Sequence, residues 1–296
     1  MQSSFKPLAL AALGLLAGAA QAAEGGGSTY PQGVESFAAG AVPPPGLYGM
    51  VYTQHYNADR MNDGQGRSLG IPGFKVRATA IVPRVVWVTN QQLLGGQLVF
   101  HALAPLVDLK ASAMGASQSK SGLGDMTVGA ALGYHHSPRL HSAVGLDAIL
   151  PTGRYDKGAM ANTGRNYSSL DPLYTLSYID PAGFNGDLRL GYLINRRNSA
   201  TDYRSGNEFH FDYAAGWAVG GGWTLGVGGY YRQQLGLDRQ GGVELQGSKT
   251  RALAIGPNLK YESGKGWFVT AKWQFETRVR NGTQGNALWV KAVLPL

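Results

Sequence analysis

The segment Glu208–Gln234, EFHFDYAAGWAVGGGWTLGVGGYYRQQ, constrains the fold more than any other part of the chain. On both sides of its three central glycines, aromatic or aliphatic residues alternate with charged or small ones. A period of two residues is that of a β-strand. A nucleotide-binding glycine loop would instead lead into a helix. We therefore predict a hairpin of two long strands joined by a tight turn at Gly220–Gly222.

Comparable alternating stretches recur along the chain and predict about twelve strands, an even number. No repeat of fixed period accompanies them, so a propeller is not expected. The predicted strands are Leu47–Tyr56, Phe74–Val88, Gln97–Leu109, Asp125–His135, Leu140–Leu150, Pro172–Ile179, Gly186–Arg196, Asn207–Val219, Trp223–Gln234, Thr250–Glu262, Trp267–Arg278 and Asn286–Pro295.

The connections between these strands alternate between long and short. Long polar connections are predicted at Asn57–Gly73, Lys110–Gly124, Pro151–Asp171, Arg197–Gly206, Leu235–Lys249 and Val279–Gly285, and short ones at Thr89–Gly96, 136–139, 180–183, 220–222 and 263–266. This asymmetry is typical of bacterial outer-membrane barrels, which have short periplasmic turns and long outer loops. We predict an all-β fold, a transmembrane antiparallel β-barrel, which must close because lipid cannot satisfy an open sheet edge.

The composition agrees with a membrane barrel. Charged residues make up only 15% of the chain, against about a quarter in soluble proteins. The chain has 44 glycines, no cysteine and a formal charge of +8, but its basic residues are scattered singly. Nucleic-acid binding needs a basic cluster or a motif, so we expect no nucleic-acid partner.

The N-terminus predicts export. Lys6, the apolar run Leu8–Ala17 and the small residues at Ala20 and Ala22 fit a cleaved signal peptide over residues 1–22. The apolar run is shorter than the roughly 20 residues that span a bilayer. Residues 23–46 are rich in proline and glycine and predict an extended periplasmic arm or lumen plug, and 47–296 the barrel. The plug candidates are Tyr30, Glu35, Phe37, Pro43, Pro44 and Pro45, with a disordered tail as the alternative.

The two strand faces predict where side chains point. Charged residues on one parity should line the lumen, since Arg or Lys facing the bilayer midplane costs about 2–4 kcal/mol. The predicted lumen residues are Lys75, Arg77, His101, Glu208, His210, Asp212, Tyr230, Arg232, Lys260, Lys272, Glu276, Arg278 and Lys291. The predicted aromatic girdle, on the lipid face, is Trp217, Trp223, Trp267 and Trp273.

Sequence motifs give little support for catalysis. His135 and Ser137 share a parity beside a short turn, but no orienting residue accompanies them and no GxSxG motif occurs. Histidine spacing does not fit a zinc site. Glu208, His210 and Asp212 share a face and could bind a cation, although a hydrogen-bond network is the commoner use. We expect no enzyme activity, no metal and no cofactor.

Prolines interrupt three predicted strands, at Pro83, Pro105 and Pro257. Each proline removes a backbone N–H donor from the hydrogen bonds between strands and indicates a bulge or a strand end. A broken ladder could also open a lateral gap through which an apolar solute leaves the lumen.

Two segments resemble a known family. YPQGVESFAAGAVPPPGLYGMVYTQHYNADRMND, Tyr30–Asp63, and GLGDMTVGAALGYHHSPRLHSAVGLDAILPTGRYD, Gly122–Asp156, are similar to outer-membrane proteins of the meta-cleavage pathway of phenol degradation. The resemblance runs through the whole mature chain and implies uptake of aromatic or other hydrophobic compounds. The chain departs from outer-membrane barrels generally in ending at Leu296 instead of an aromatic residue.

We therefore expect a monomeric barrel of the Gram-negative outer membrane that passively admits small aromatic or hydrophobic solutes. Its other partners would be outer-membrane lipid and the outer-membrane assembly machinery. An anion-selective narrow channel and a non-conducting structural barrel remain alternatives. A lipid hydrolase acting through Ser137 is disfavoured.

Overall fold

The computed structural model describes residues 26–296, so the predicted signal peptide lies outside the described residues. The described chain consists of β-strands joined by turns and loops. The strands are β1 (Gly46–Asn62), β2 (Lys75–Leu93), β3 (Gly96–Leu103), β4 (Leu106–Ala113), β5 (Ala116–Leu123), β6 (Met126–His135), β7 (Leu140–Leu150), β8 (Ser169–Ile179), β9 (Phe184–Asn195), β10 (Tyr203–Arg204), β11 (Glu208–Gly220), β12 (Trp223–Gln234), β13 (Asp238–Gln240), β14 (Val243–Leu245), β15 (Arg251–Glu262), β16 (Phe268–Arg280) and β17 (Gly282–Pro295). No helix among residues 26–296 has the length and apolar character needed to cross a membrane.

The strands form a closed antiparallel barrel of 12 strands, which confirms the predicted fold. Its order is β1, β2, β3, β6, β7, β8, β9, β11, β12, β15, β16 and β17, and β1 closes the ring by pairing with both β2 and β17. Short turns gather at one end and longer connections at the other. We name these the short-turn end and the long-loop end; in outer-membrane barrels they face the periplasm and the exterior.

The hairpin predicted from Glu208–Gln234 is confirmed. Strands β11 and β12 pair in register from Glu208↔Gln234 to Ala218↔Thr224. Gly220, Gly221 and Gly222 have φ values of 93°, 60° and 82°. These left-handed conformations strain any residue with a Cβ, so the three glycines permit the tight turn.

One predicted loop proved wrong. Residues 110–124 were expected to be a long connection, but strands β4 and β5 occupy most of them. Strands β3 and β4 both pair with β2 and are separated at Ala104–Pro105. Proline has no backbone N–H to continue the ladder, while the Pro105 carbonyl accepts a hydrogen bond from Gly124 N at 2.7 Å. The sequence 110–124 is rich in serine and glycine, which hid its strand character.

The long-loop end differs from expectation in two further places. The predicted loop 279–285 is a tight turn at Asn281, which has a φ of 50°. Within the predicted loops 197–206 and 235–249, strands β10, β13 and β14 form a separate three-stranded sheet.

The two faces of the wall differ as a membrane barrel requires. The outer face exposes aliphatic and aromatic side chains, among them Val85, Leu225 and Ile255, each about half exposed. The inner face of β8 to β16 carries buried polar residues, including Asp171, Arg189 and Asp212. The inner face of β1 to β4 is instead mostly apolar.

Candidate functional site

Residues 26–45, which we name the arm, run through the lumen from the long-loop end to the short-turn end. Arg232 donates to the Gly26 carbonyl at 2.6 Å, and Ser28 donates to Glu208 at 2.8 Å. Near the other end, Gly40 N donates to Ser177 Oγ at 2.7 Å. The chain then enters β1 at Gly46.

Asp212 on β11 anchors the middle of the arm. Its carboxylate accepts hydrogen bonds from the Tyr30 hydroxyl at 2.6 Å, from Gly33 N at 2.9 Å and from Glu35 N at 2.9 Å. Asp212 is 2% exposed, so these bonds are shielded from water. Hydrogen bonds to an ionised acceptor are among the stronger ones in proteins.

Glu35 connects the arm to the opposite side of the barrel. Its carboxylate lies 3.0 Å from Arg84 on β2 and 3.3 Å from Lys291 on β17, and it accepts a hydrogen bond from the Tyr52 hydroxyl. Lys272 donates to the Glu35 carbonyl. A single arm carboxylate thus forms ion pairs with two wall cations and balances the charge of one of them.

Five titratable side chains form a connected network on the inner face of the wall beside the arm. Arg189 lies 2.7 Å from Asp171 and 3.5 Å from Asp147. Each acid also contacts a histidine: Asp147 pairs with His101 at 2.9 Å and Asp171 with His210 at 3.1 Å. The Tyr30 ring of the arm covers Arg189 at 4.2 Å from the guanidinium carbon. The arm therefore covers Arg189 from one side, while Arg189, Asp147 and His101 also line the cavity described next.

The arm fills one side of the lumen and leaves a cavity of about 700 Å³ along the other. The facing inner wall, which we name the apolar wall, consists of Ala80, Val82, Val86, Val99, Leu103 and Val107. From the other side Val34 and Val42 of the arm contribute. The cavity extends from Asp125 and Thr163 at the long-loop end to His135 and His141 at the short-turn end.

Residues 151–168, which we name the cap loop, close the cavity at the long-loop end. Asp125, between β5 and β6, accepts hydrogen bonds from Gly153 N at 3.0 Å and Arg165 N at 2.7 Å. Burial raises the pKa of Asp125, while the two N–H groups and the Arg165 charge oppose that rise. On β5, Gln118 Oε1 accepts from Met160 N at 2.7 Å. The loop is therefore bound to the β5 and β6 side of the mouth.

Most predicted lumen residues lie on the inner face. Those residues are His101, Glu208, His210, Asp212, Tyr230, Arg232, Lys260, Lys272, Glu276 and Lys291, all buried except the half-buried His101 and Glu276. Among them His101, Lys260 and Lys291 line the cavity. Tyr230 donates to Glu276 at 2.5 Å, and Arg232 lies 3.5 Å from Glu208.

Three predicted lumen residues lie elsewhere. Lys75 and Arg77 are exposed on the outer face, on the same parity as Ile81, Val85 and Trp87. Both faces of β2 are mostly apolar, so alternation could not show which face is turned to the lumen. Lys75 and Arg77 lie at the long-loop end of this 19-residue strand.

Arg278 has a φ of 50°, and the β15–β16 register shifts nearby between Arg251 and Leu253. As a result Val279 is buried at 1% exposure in place of Arg278, which is exposed.

Sequence reasoning missed Arg84 as a lumen residue because it lies on the misassigned parity of β2. It also gave no role to Asp171. A signal for Arg84 was present: a single charge between Val82 and Val86, on an otherwise mostly apolar parity of β2, marks a residue that needs a buried partner.

Some of the predicted plug residues lie in the lumen, and the others lie at the rim of the barrel. Tyr30 and Phe37 are buried at 6% and 1% exposure. Glu35 and Pro43 line the cavity. Pro44 and Pro45 are exposed at the short-turn end.

The four predicted girdle tryptophans lie on the outer face, but Trp273 lies farther from a turn than the other three. Trp217 and Trp223 are exposed beside the Gly220–Gly222 turn, and Trp267 lies near the next short turn. Trp223 and Trp267 both contact Tyr261, at ring distances of 4.8 and 5.7 Å. Trp273 is exposed in the interior of β16 beside Phe275.

The residues considered for catalysis or metal binding are engaged otherwise. Ser137 Oγ accepts from Arg139 N and Leu140 N within its turn. His135 contacts His141, not Ser137, at 2.7 Å between the Nδ1 atoms. Across residues 26–296 no three His, Asp or Glu side chains are grouped so that they could hold a metal ion.

Solved structures of outer-membrane proteins resemble the chain to different degrees. An outer membrane channel from Pseudomonas putida F1 has a TM-score of 0.77 and 19% identity, over 88% of this chain and 98% of that one. A CymD monoaromatic hydrocarbon channel has a TM-score of 0.44 and 9% identity, over 85% and 89% of the two chains. A Pseudomonas aeruginosa FadL homologue has a TM-score of 0.43 and 10% identity, over 93% and 97%. The first similarity shows a shared fold; the other two are too distant to carry an argument.

A family model gives the relationship more directly. No curated protein matches the chain. The model described as "Putative MetA-pathway of phenol degradation" matches residues 58–292, well over half of the sequence and most of the barrel. The protein therefore belongs to that family of outer-membrane β-barrels.

Proposed function

We propose that this protein is an outer-membrane channel for passive uptake of small hydrophobic or aromatic compounds. The observation that carries the proposal is the cavity between the arm and the apolar wall. It extends toward both ends of the barrel and is lined along the wall by Val82, Val86, Val99 and Leu103. A barrel serving only as a structural anchor has no need of such a space.

The lining favours apolar solutes over polar ones. Apolar surface that leaves water gains about 25 cal/mol per Å², and the apolar wall offers that environment. Four cations that line the cavity already have carboxylate partners: Arg84 and Lys291 contact Glu35, Arg189 contacts two aspartates, and Lys260 contacts Glu262. A charged solute would have to displace these partners, so we do not propose an anion channel.

The break at Pro105 offers a lateral route. On the short-turn side of Pro105, β2 pairs with β3, which pairs with β6; on the long-loop side, β2 pairs with β4, which pairs with β5. Among the described strands, β5 pairs with β4 alone. The cap loop covers the other edge of β5 through Gln118 and Lys120. Movement of the cap loop would open the cavity to the exterior, and the interrupted ladder would let an apolar solute pass toward lipid.

Neighbouring alanines on β6 provide a matched test. Ala131 lines the cavity, and Ala130 lies on the outer face with Val128. Ala131→Phe should obstruct the cavity and reduce uptake of labelled toluene into cells that depend on this protein by at least fivefold. Ala130→Phe should leave uptake unchanged. Equal uptake by both variants would contradict the proposal, and discrete large conductance steps of the wild type in planar bilayers would favour a hydrophilic pore.

A further inference from the structure

Three basic side chains form an exposed group on the outer face, near the long-loop end. Lys75 and Arg77 lie on β2 and Lys110 on β4, and all three are exposed. We name them the basic patch. Arg77 and Lys110 are direct cross-strand neighbours, and Lys75 stands opposite Ser112. They face away from the lumen and do not line the cavity described above.

The patch is unbalanced in charge. Like charges directly opposite each other on a sheet destabilise it, and Arg77 faces Lys110 in this way. The acids on the same face are Asp59 on β1 and Asp108 on β4, and Asp108 accepts a hydrogen bond from Ser121 at 2.7 Å. Within residues 26–296 neither acid lies within ion-pair distance of the three cations. An anion from outside the chain would relieve the repulsion.

The surroundings of the patch suit a phosphate group. Arginine presents a planar fork that binds phosphate through two hydrogen bonds, and lysine adds a point charge. Ser119 on β5 lies opposite Lys110 and is exposed. Hydroxyl, guanidinium and ammonium groups together supply donors for several phosphate oxygens.

The position of the patch indicates the source of the phosphate. Along β2 toward the short-turn end, the outer face continues with Ile81, 50% exposed, and Val85, 47% exposed. On β4 the outer face continues with Leu106, 55% exposed. Cations therefore lie directly beyond an apolar band, where a lipid would place its phosphate beyond its acyl chains. A free phosphate ion would have no use for that band.

We propose that the basic patch binds the phosphate of a phosphorylated glycolipid in the outer leaflet, with the acyl chains lying against Ile81 and Leu106. The long-loop end faces the exterior in barrels of this kind, so the patch lies at the level of outer-leaflet headgroups. Clusters of basic residues beside a membrane surface attract anionic lipid in the same manner.

The test compares two triple substitutions that remove the same charge from the full mature chain. The patch variant is Lys75→Gln, Arg77→Gln and Lys110→Gln. The control is Lys157→Gln, Lys249→Gln and Lys265→Gln, three exposed lysines outside the patch. Binding of bisphosphorylated lipid A in neutral detergent is measured by native mass spectrometry. The patch variant should bind at least tenfold more weakly than wild type, and the control should match wild type.

Stability separates lost binding from lost folding. In lipid-free detergent the patch variant should unfold at the wild-type temperature or higher, since a like-charge contact is gone. Lipid A should then raise the unfolding temperature of wild type and control but not of the patch variant. The single change Arg77→Gln, which tests the bidentate contact alone, should give an intermediate loss.

Several results would overturn the proposal. Equal lipid A affinity for the patch variant and wild type would contradict the proposal. A loss of lipid A affinity in the control as large as that in the patch variant would contradict it too. If dephosphorylated lipid A bound as tightly as the bisphosphorylated form, the phosphate would not be the recognised group. If inorganic phosphate alone bound with the affinity of lipid A, the patch would be a free-anion site and not a lipid site.

Discussion

Val42 of the arm occupies the space that Gly133 leaves on the inner face of β6. A Cβ at position 133 would lie 2.4 Å from Val42 Cγ2 and 2.8 Å from its Cβ. Real Cβ contacts are not that short, so the glycine is required for the arm to pass. At Gly216 a Cβ would lie 2.9 Å from the Phe37 Cζ and 2.7 Å from the Leu225 carbonyl oxygen, so this glycine makes room for the arm and for the neighbouring strand. Gly133 and Gly216 therefore make room for side chains of the arm.

Enlarging Gly133 should displace the short-turn end of the arm. We expect Gly133→Val to expel residues around Val42 from the lumen, and so to increase ion conductance in planar bilayers severalfold over wild type. The double variant Gly133→Val with Val42→Gly restores the space and should return conductance toward the wild-type value. Conductance that stays at the wild-type level in the single variant would show that the arm does not limit the pore.

Removing the arm anchor should destabilise the protein. Asp212→Ala deletes the acceptor of two buried hydrogen bonds, from Tyr30 and Gly33, and of a partly buried one from Glu35. Leaving buried donors unpaired predicts a loss of about 3–5 kcal/mol in the free energy of unfolding. The measurement is urea unfolding followed by the change in electrophoretic mobility between folded and unfolded barrel.

A surface acid supplies the comparison for that measurement. Asp202 pairs with Arg197 at 2.8 Å, and both side chains are about half exposed. Exposed ion pairs contribute about 0–1 kcal/mol, so Asp202→Ala should lower the unfolding free energy far less than Asp212→Ala. Comparable losses in the two variants would argue against a central role of Asp212.

The cap loop should be released when Asp125 is changed. Asp125→Ala removes the acceptor for Gly153 N and Arg165 N, and each such bond contributes about 1.5–3 kcal/mol to loop closure. We expect trypsin to cut the variant after Arg154 or Lys157 at least tenfold faster than wild type in folded protein. Unchanged cleavage rates would mean that contacts such as Gln118 with Met160 hold the loop without Asp125.

Tryptophan fluorescence can test which face each residue occupies. Trp223 is 43% exposed on the outer face, whereas Trp289 is 2% exposed inside the barrel. In variants that retain one tryptophan each, brominated lipid should quench Trp223 strongly and Trp289 weakly. Equal quenching of the two would contradict the assignment of faces on β12 and β17.

The barrel could be predicted from the alternation of residues along the chain. Alternation in Glu208–Gln234 predicted the hairpin and placed Glu208, His210 and Asp212 on one face, because a strand sends neighbouring side chains to opposite sides. The inner face could be identified wherever one parity was polar and the other apolar. On β2 both parities are apolar, so Lys75 and Arg77 were assigned to the lumen and Arg84 was missed.

The contents of the lumen could not be predicted from the sequence, because they depend on contacts between distant parts of the chain. The partners Glu35 and Lys291, 256 positions apart, meet because the arm threads the closed ring, and no local pattern encodes that path. The shift at Arg278 arises from a bulge whose register depends on the neighbouring strand. Closure also places the apolar side of β1 to β4 opposite the charged side of β8 to β16. Periodicity fixes the direction of each side chain from its own neighbours, whereas a cavity depends on groups that only the completed ring brings together.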